Sequence, residues 1–275
     1  MTVSFCVNKN YAHRYIETDF KIKMTRIIGL SGKGGTGKTT FTALILKGLI
    51  DRGEKDILVI DADPNECLAD VLDVKEYTRL SDMIKSYEGK TINPVDFEMK
   101  FKSMLMENEQ DNFDFIVMGR GEGKGCYCLI NNLLKNSFEK SVLEGGFAYN
   151  HVIMDCEAGI EHISRKTSSS IKDLIIITDA SKMGLETIQR VKDVTDEVEA
   201  EVENFYVIAN KVQAEKISGR IAGKAKELGM TYLGNIPLDP VIEEYNFEGK
   251  SLLELPSDSK ALKKVGEMLD TILSN

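Results

Sequence analysis

Ser31-Gly32-Lys33-Gly34-Gly35-Thr36-Gly37-Lys38-Thr39-Thr40 matches the phosphate-loop pattern G-x-x-x-x-G-K-[ST] from Gly32 to Thr39. Its flanks give the match physical content. Arg26 to Leu30 reads as a buried strand, and Thr39 to Leu49, with apolar Phe41, Leu44, Ile45 and Leu49, reads as a helix. The expected geometry is strand, loop, helix. Glycines at 32, 34, 35 and 37 let the backbone curl so that N–H groups from Gly32 through Thr36 to Thr40 face phosphate oxygens, and the helix N-terminus adds partial positive charge. Lys38 is expected on the β- and γ-phosphates and the Thr39 hydroxyl on Mg²⁺, so the expected ligand is a nucleoside triphosphate with its magnesium.

Working outward, Asp56 to Asp61 is a second buried strand that runs into Ala62-Asp63-Pro64-Asn65. Carboxylates just past a strand's C-terminal end lie on the ligand side of a parallel sheet, although Asp63-Pro64-Asn65 also suits a turn with a helix cap. Asp114 to Met118 and Tyr149 to Asp155 are further strands, and Asp155-Cys156-Glu157-Ala158-Gly159 fits D-x-x-x-G, in which the acid orients the water shell of magnesium. Three more strand-and-helix units follow: Asp173 to Asp179 with a helix from Met183 to Ala200, Asn204 to Asn210 with one from Glu215 to Leu228, and Met230 to Ile236 before Pro237. Alternation of this kind predicts an α/β fold, a doubly wound, mostly parallel sheet of seven to eight strands flanked by helices. Residues 24–275 are expected to form this domain. Residues 1–23 show neither period and read as an extension outside it.

Composition narrows the function. Lys+Arg 35 against Asp+Glu 44 gives a net charge of −9, which disfavours nucleic acid as a partner. No stretch of about 18 apolar residues occurs and no basic-then-apolar leader precedes the domain, so a cytoplasmic protein is expected. Its five cysteines (Cys6, Cys67, Cys126, Cys128, Cys156) are then expected reduced, and paired ones read as metal ligands. Residues 71–112 are polar, with helical stretches from Leu80 to Ile84 and Phe97 to Met106, and read as a client- or partner-facing insertion.

A second lysine, Lys33, follows the first glycine, where a minimal phosphate loop needs no cation. The form G-K-G-G-x-G-K-T resembles the deviant phosphate loop of the MinD, ParA, nitrogenase iron protein and arsenite-pump ATPases. That resemblance implies an ATPase that binds ATP and ADP. It also implies that Lys33 reaches the partner's nucleotide across a homodimer, that Asp63 lies in switch I and positions the attacking water, and that Asp61 and Asp155 support magnesium. Asn210 and Lys211 occupy the family's adenine-contacting position, and Ile236-Pro237-Leu238-Asp239 the segment closing over the base. An amide such as Asn210 can read the adenine edge with one donor and one acceptor.

Cys126-Tyr127-Cys128 is the other specific feature. Side chains two apart on extended backbone share a face, so the two thiols can address one centre, and a two-fold axis would complete four sulfur ligands for a soft metal. Met118 to Lys135, MGRGEGKGCYCLINNLLK, resembles the corresponding segment of the CooC-type accessory ATPases of carbon monoxide dehydrogenase, the nickel-insertion factors. Gly121 and Lys124 stand where many members carry proline, which leaves both thiols in place. The resemblance implies a metallochaperone whose dimer depends on nucleotide and metal. It would hold Ni²⁺ (or Zn²⁺) on Cys126 and Cys128 and serve carbon monoxide dehydrogenase or acetyl-CoA synthase as client.

Two other classes fit the same loop: a positioning ATPase like MinD or ParA, and an ATP-driven reductase like the nitrogenase iron protein. The reductase family takes its cluster cysteines from two separate segments, whereas Cys126 and Cys128 share one. The last helix, Ser259 to Leu273, could serve as a membrane anchor. Its polar face mixes Lys263, Lys264, Glu267 and Asp270 and lacks arginine and aromatic residues, which suits packing on the sheet, so no membrane partner is expected.

Overall fold

The computed structural model describes residues 25–63, 65–87, 91, 93–107, 110, 112–119, 137–138, 142, 149–156 and 171–275. Their centre is a seven-stranded sheet in the order β3-β2-β4-β1-β5-β6-β7. The strands are β1 (Arg26–Gly32), β2 (Ile57–Asp61), β3 (Asp114–Val117), β4 (His151–Asp155), β5 (Ile171–Thr178), β6 (Val202–Asn210) and β7 (Thr231–Ile236). Every neighbouring pair is parallel. Helices α1 (Lys38–Asp51), α2 (Cys67–Leu72), α3 (Leu80–Lys85), α4 (Pro94–Glu107), α5 (Lys182–Glu197), α6 (Glu215–Glu227), α7 (Pro240–Glu248) and α8 (Lys260–Ser274) flank it.

Strands buried on both faces need apolar residues at consecutive positions, and β1 to β5 supply them. Ile27, Leu58 and Ile60 face one layer, with Ile188 of α5 and Ile221 of α6. Ile28, Ile57 and Val59 face the other, with Leu44 of α1 and Leu269 of α8. From β1 the chain crosses β4 to reach β2, and later crosses β1 to reach β5, so the winding reverses at β1. The carboxyl end of the strand at such a reversal is where open α/β sheets bind ligands, and the glycine loop follows that strand.

All seven strands expected between Met24 and the C-terminus are present, with ends shifted by up to two residues. Among the described residues of 71–112, the helical stretches expected from Leu80 to Ile84 and Phe97 to Met106 are present as α3 and α4. Phe97, Phe101, Met104 and Leu105 of α4 are buried, while Val95 and Met99 are exposed. Two short helices were not legible. Helix α2 begins after Glu66, whose φ is +54°, and α7 begins at Pro240 behind the capping carboxylate of Asp239. Helix α8 lies in the fold: Ala261, Leu262, Val265, Met268, Leu269 and Ile272 are buried, so its apolar face is spent on the protein. No helix among the described residues is long and apolar enough to cross a membrane.

At the opposite sheet end, Arg26 Nε donates to Asp173 Oδ2 at 2.6 Å, with side chains 12% and 0% exposed, and Asn204 Nδ2 donates to Asp173 Oδ1 at 3.0 Å. Arg26 also donates to the carbonyls of Ile272 and Leu273, tying β1 to the end of α8. Removing one partner of a buried pair strands the other charge. Arg26→Ala should therefore cost about 3 kcal/mol, seen as a fall in melting temperature of roughly 6–12 °C in a thermal scan without ligand.

Candidate nucleotide site

The parallel register brings the expected site residues together. Leu30 pairs with Asp155, Asp61 pairs with Asp155, and Gly32 pairs with Ile177, so the ends of β1, β2, β4 and β5 converge on the loop. At Gly32 (φ +149°) a Cβ would lie 2.2 Å from the Ile177 carbonyl oxygen, so the loop leaves β1 where only glycine fits. Gly37, in the left-handed region at φ +91°, opens α1. Between them the Lys33 carbonyl accepts from the Thr36 hydroxyl at 2.8 Å and the Thr36 N–H at 3.3 Å. The Lys38 ammonium, buried under the loop, lies 3.5 Å from the same carbonyl. A buried cation beneath a glycine cradle that opens a helix is a device for holding phosphates.

Asp61 and Asp155 stand side by side. Asp61 accepts from the N–H groups of Asp63 and Leu68, each at 3.1 Å, yet burial pushes its pKa up to about 7 against those bonds, and the Asp155 charge adds to the rise. Burial pushes Asp155 up to about 6, while the hydroxyls of Thr39 and Thr42 and the Lys38 charge pull the other way. Neither buried oxygen of Asp155 has a well-formed hydrogen bond. A hard divalent cation takes oxygen ligands, and a hydroxyl beside two carboxylates, one of them unsatisfied, fits Mg²⁺ and its water shell.

Asp63 lies nearby with its carboxylate turned to its own loop, accepting from the Asn65 N–H at 2.8 Å and the Asn65 amide at 2.9 Å. Asp63 therefore closes a turn onto Asn65 at the strand ends, and it does not cap α2, whose N-cap is Glu66.

On the far side of Gly37, Asn210 Nδ2 donates to the Thr36 carbonyl at 2.7 Å, and a Cβ at Gly37 would meet that nitrogen at 2.5 Å. Asn210 is thereby locked against the loop with one amide hydrogen committed. Lys211 follows with φ +57°, a strained conformation for a side-chain-bearing residue and one that collects at functional sites. Gly37, Thr40, Asn210, Lys211, Pro237 and Leu238 line one pocket, which unites all three expected base-contacting residues with the phosphate loop. Asp239 has a different job from its neighbours. Its carboxylate accepts from Val241 N–H, the Ser259 hydroxyl and Ala261 N–H, so it caps α7 and braces the start of α8. Those bonds outweigh its burial and hold its pKa below the usual range.

Lys33 is not directed at this chain's own phosphate cradle by a hydrogen bond. Its ammonium lies 3.6 Å from Asp179 Oδ2, just past β5. Asp179 was not singled out in the sequence; an acid directly after a strand that adjoins β1 was the available signal.

Cys126, Cys128 and Glu157 to Gly159 lie outside the described residues, and among the described residues no group of three or more His, Cys, Asp or Glu is placed to hold a metal ion. Cys156 is buried, and burial pushes its thiol far up, which makes it a packing residue. Cys67 is exposed beside Asp61 and Asp63, where partial burial and the charges of Asp63 and Asp61 raise its pKa and disfavour the thiolate.

The fold and the cradle define a P-loop nucleotide-binding protein. The chain matches the CobQ/CobB/MinD/ParA nucleotide binding domain over residues 27–252 and belongs to that family. It is 37% identical over 257 residues to the uncharacterized ATP-binding protein MJ0685 of Methanocaldococcus jannaschii, covering 90% of this chain and 98% of that one. It is 25% identical over 250 residues to the carbon monoxide dehydrogenase accessory protein CooC of Rhodospirillum rubrum, covering 83% and 89%. Among solved structures, a ParA family ATPase from Chlorobium tepidum superposes with a TM-score of 0.66 at 20% identity, covering 91% and 98%, a likeness of fold.

The two raised carboxylates predict the sign of a pH effect. Their folded pKa values exceed the unfolded value near 3.8, so the folded chain binds more protons between about pH 4 and pH 7 and loses stability as pH rises through that window. Asp155→Asn removes one charge of the pair. Without Mg²⁺ and nucleotide it should melt above wild type at pH 8, by on the order of 5 °C, and the gap should close towards pH 4. A variant that melts lower at pH 8 would show that the pair is not strained in the free protein.

Proposed function

We propose that the protein is an ATP-hydrolysing metallochaperone that dimerises on ATP and carries a nickel ion, or zinc in its place, to carbon monoxide dehydrogenase or the related acetyl-CoA synthase. One observation carries the reading: a phosphate loop with the extra lysine and the C-Y-C segment stand in the same chain, with Asp61, Asp155 and the loop assembled at the carboxyl ends of the central strands. The likeness to CooC supports it.

In this reading the loop N–H groups from Gly32, Gly34 and Gly35 to Thr40 bind the phosphates, Lys38 neutralises them, and Asn210, Lys211 and Pro237 hold adenine. Mg²⁺, held through Thr39, Asp61 and Asp155, supplies charge neutralisation on the phosphates when bound. Asp63 leaves its bonds to Asn65 and orients the attacking water. Lys33 reaches the partner's nucleotide, so hydrolysis and dimer release are coupled. The cargo metal sits between protomers on Cys126 and Cys128 of each chain.

A positioning ATPase like MinD or ParA is the second reading, favoured by the likeness of fold. In such a protein α8 could not be the anchor, because its apolar face is buried. Co-pelleting of the protein with vesicles or DNA on ATP would favour that reading over metal delivery.

Lys38→Ala should abolish tight nucleotide binding, since a buried phosphate contact is lost. Asp63→Ala should keep ATP bound and unhydrolysed. A binding titration beside a phosphate-release assay separates the two, and equal loss of ATP affinity would remove Asp63 from the water-positioning role. For the metal, the protein should bind about one Ni²⁺ or Zn²⁺ per dimer, following the two-plus-two thiolate argument. Cys126→Ser with Cys128→Ser should lose the metal while retaining ATP. Metal analysis with the oligomeric mass, with and without ATP, checks this, and linkage requires metal and ATP each to tighten the other's binding. One metal per monomer without dimerisation would overturn the interfacial site.

A further inference from the structure

We propose that Asp179 is a positioning residue that holds Lys33 within its own protomer until nucleotide-driven dimerisation takes the lysine away. This deepens the trans-lysine reading given above and rests on it. The carboxylate is divided between two tasks. Its Oδ1 accepts from the Ser181 N–H at 2.9 Å and from the Ser181 hydroxyl, while Oδ2 faces the Lys33 ammonium at 3.6 Å. Ser181 is itself the N-cap of α5, its hydroxyl oxygen accepting from Gly184 N–H at 2.9 Å. Gly184 is required beneath it, because a Cβ there would lie 2.5 Å from Asp179 Oδ1 and 2.5 Å from the Thr178 hydroxyl oxygen. The acid is therefore fixed to a helix N-terminus through one oxygen and turned to the Lys33 ammonium with the other. Although partial burial raises its pKa, the Ser181 bonds and the Lys33 charge outweigh that and keep the carboxylate ionised at neutral pH.

The lysine end is the movable one. Lys33 and Asp179 are 34% and 35% exposed, and the ammonium sits on a four-carbon stem in a glycine-rich loop. At 3.6 Å the contact is a loose ion pair. A pair with this exposure is weak enough to be exchanged for a nucleotide phosphate and strong enough to bias a dimer. Each dimer must release two such pairs, so the effect enters squared. Loosening each by about 2- to 5-fold shifts the dimer dissociation constant by about 4- to 25-fold.

The test is Asp179→Asn, which keeps an acceptor for Ser181 and removes the charge. Sedimentation equilibrium with Mg²⁺ and a non-hydrolysable ATP analogue should show the variant dimerising at about 4- to 25-fold lower protein concentration than wild type. Lys33→Ala should dimerise poorly, and adding Asp179→Asn to it should change nothing further, since the held group is already gone. A structural role for Asp179 would act equally in both backgrounds. If Lys33→Ala is impaired while Asp179→Asn dimerises like wild type or more weakly, the hold is wrong and the trans-lysine reading survives. If Lys33→Ala dimerises normally, or wild type does not dimerise on nucleotide, the trans-lysine reading falls and the hold falls with it.

Discussion

The in-register parallel pairing of β2, β4, β1 and β5 is the constraint on which the site depends. It sets Asp61 opposite Asp155, Asp155 opposite Leu30 and Gly32 opposite Ile177. A shift of one residue on any of these strands would turn its apolar set to the other face and move an acid away from the loop. Burial on both faces forbids that shift, because Ile57 and Leu58, or Ile27 and Ile28, already fill opposite layers. The core therefore does more than stabilise the domain. It fixes where two carboxylates, a buried lysine and a glycine turn meet.

The meeting carries a cost that explains its chemistry. Two carboxylates are buried together, one with no well-formed hydrogen bond, within the field of a single buried ammonium. Burial raises the pKa of both acids, and a divalent cation would favour their ionised forms. Binding then relieves a charge conflict built into the fold, and a triphosphate brings the opposite charge that Lys38 and the α1 N-terminus lack. The Arg26–Asp173 pair at the other end of the sheet is the contrasting case: its acid has a guanidinium and an amide on its two oxygens, and nothing there calls for a ligand.

Much of this was legible in the residues. Continuous apolar runs flanked by glycine and acids marked all seven strands, and the loop pattern named Lys38 and Thr39. Asn210, Lys211 and Pro237 came from family resemblance, and they line one pocket with Gly37. What escaped was whatever depends on contacts between distant segments. Helix α7 and the capping by Asp239 are set by Ser259 and Ala261, about twenty residues on, a long-range bond with no local period. Glu66 enters α2 at positive φ with its carboxylate on Arg79 Nε at 2.6 Å, again a tertiary contact overriding local preference. Helix α4 was legible from Phe97 to Met106, and its first turn from Pro94 was not; Phe97, Phe101, Met104 and Leu105 carry its buried face into the core.

Lys33 shows why a motif and its geometry are different kinds of knowledge. As a pattern it marks a cation that the local loop does not need, and the structure agrees that its own cradle leaves the charge over: Lys38 lies beneath the loop, whereas Lys33 points away to Asp179. A surplus cation on a flexible stem seeks whichever anion is nearest and least solvated. In a lone protomer that anion is a carboxylate fixed by Ser181 at the head of α5. Against a second copy with bound nucleotide it would be a phosphate, whose greater charge favours the exchange. The same elementary preference, one ammonium choosing between two anions, can thus make association depend on whether nucleotide is present.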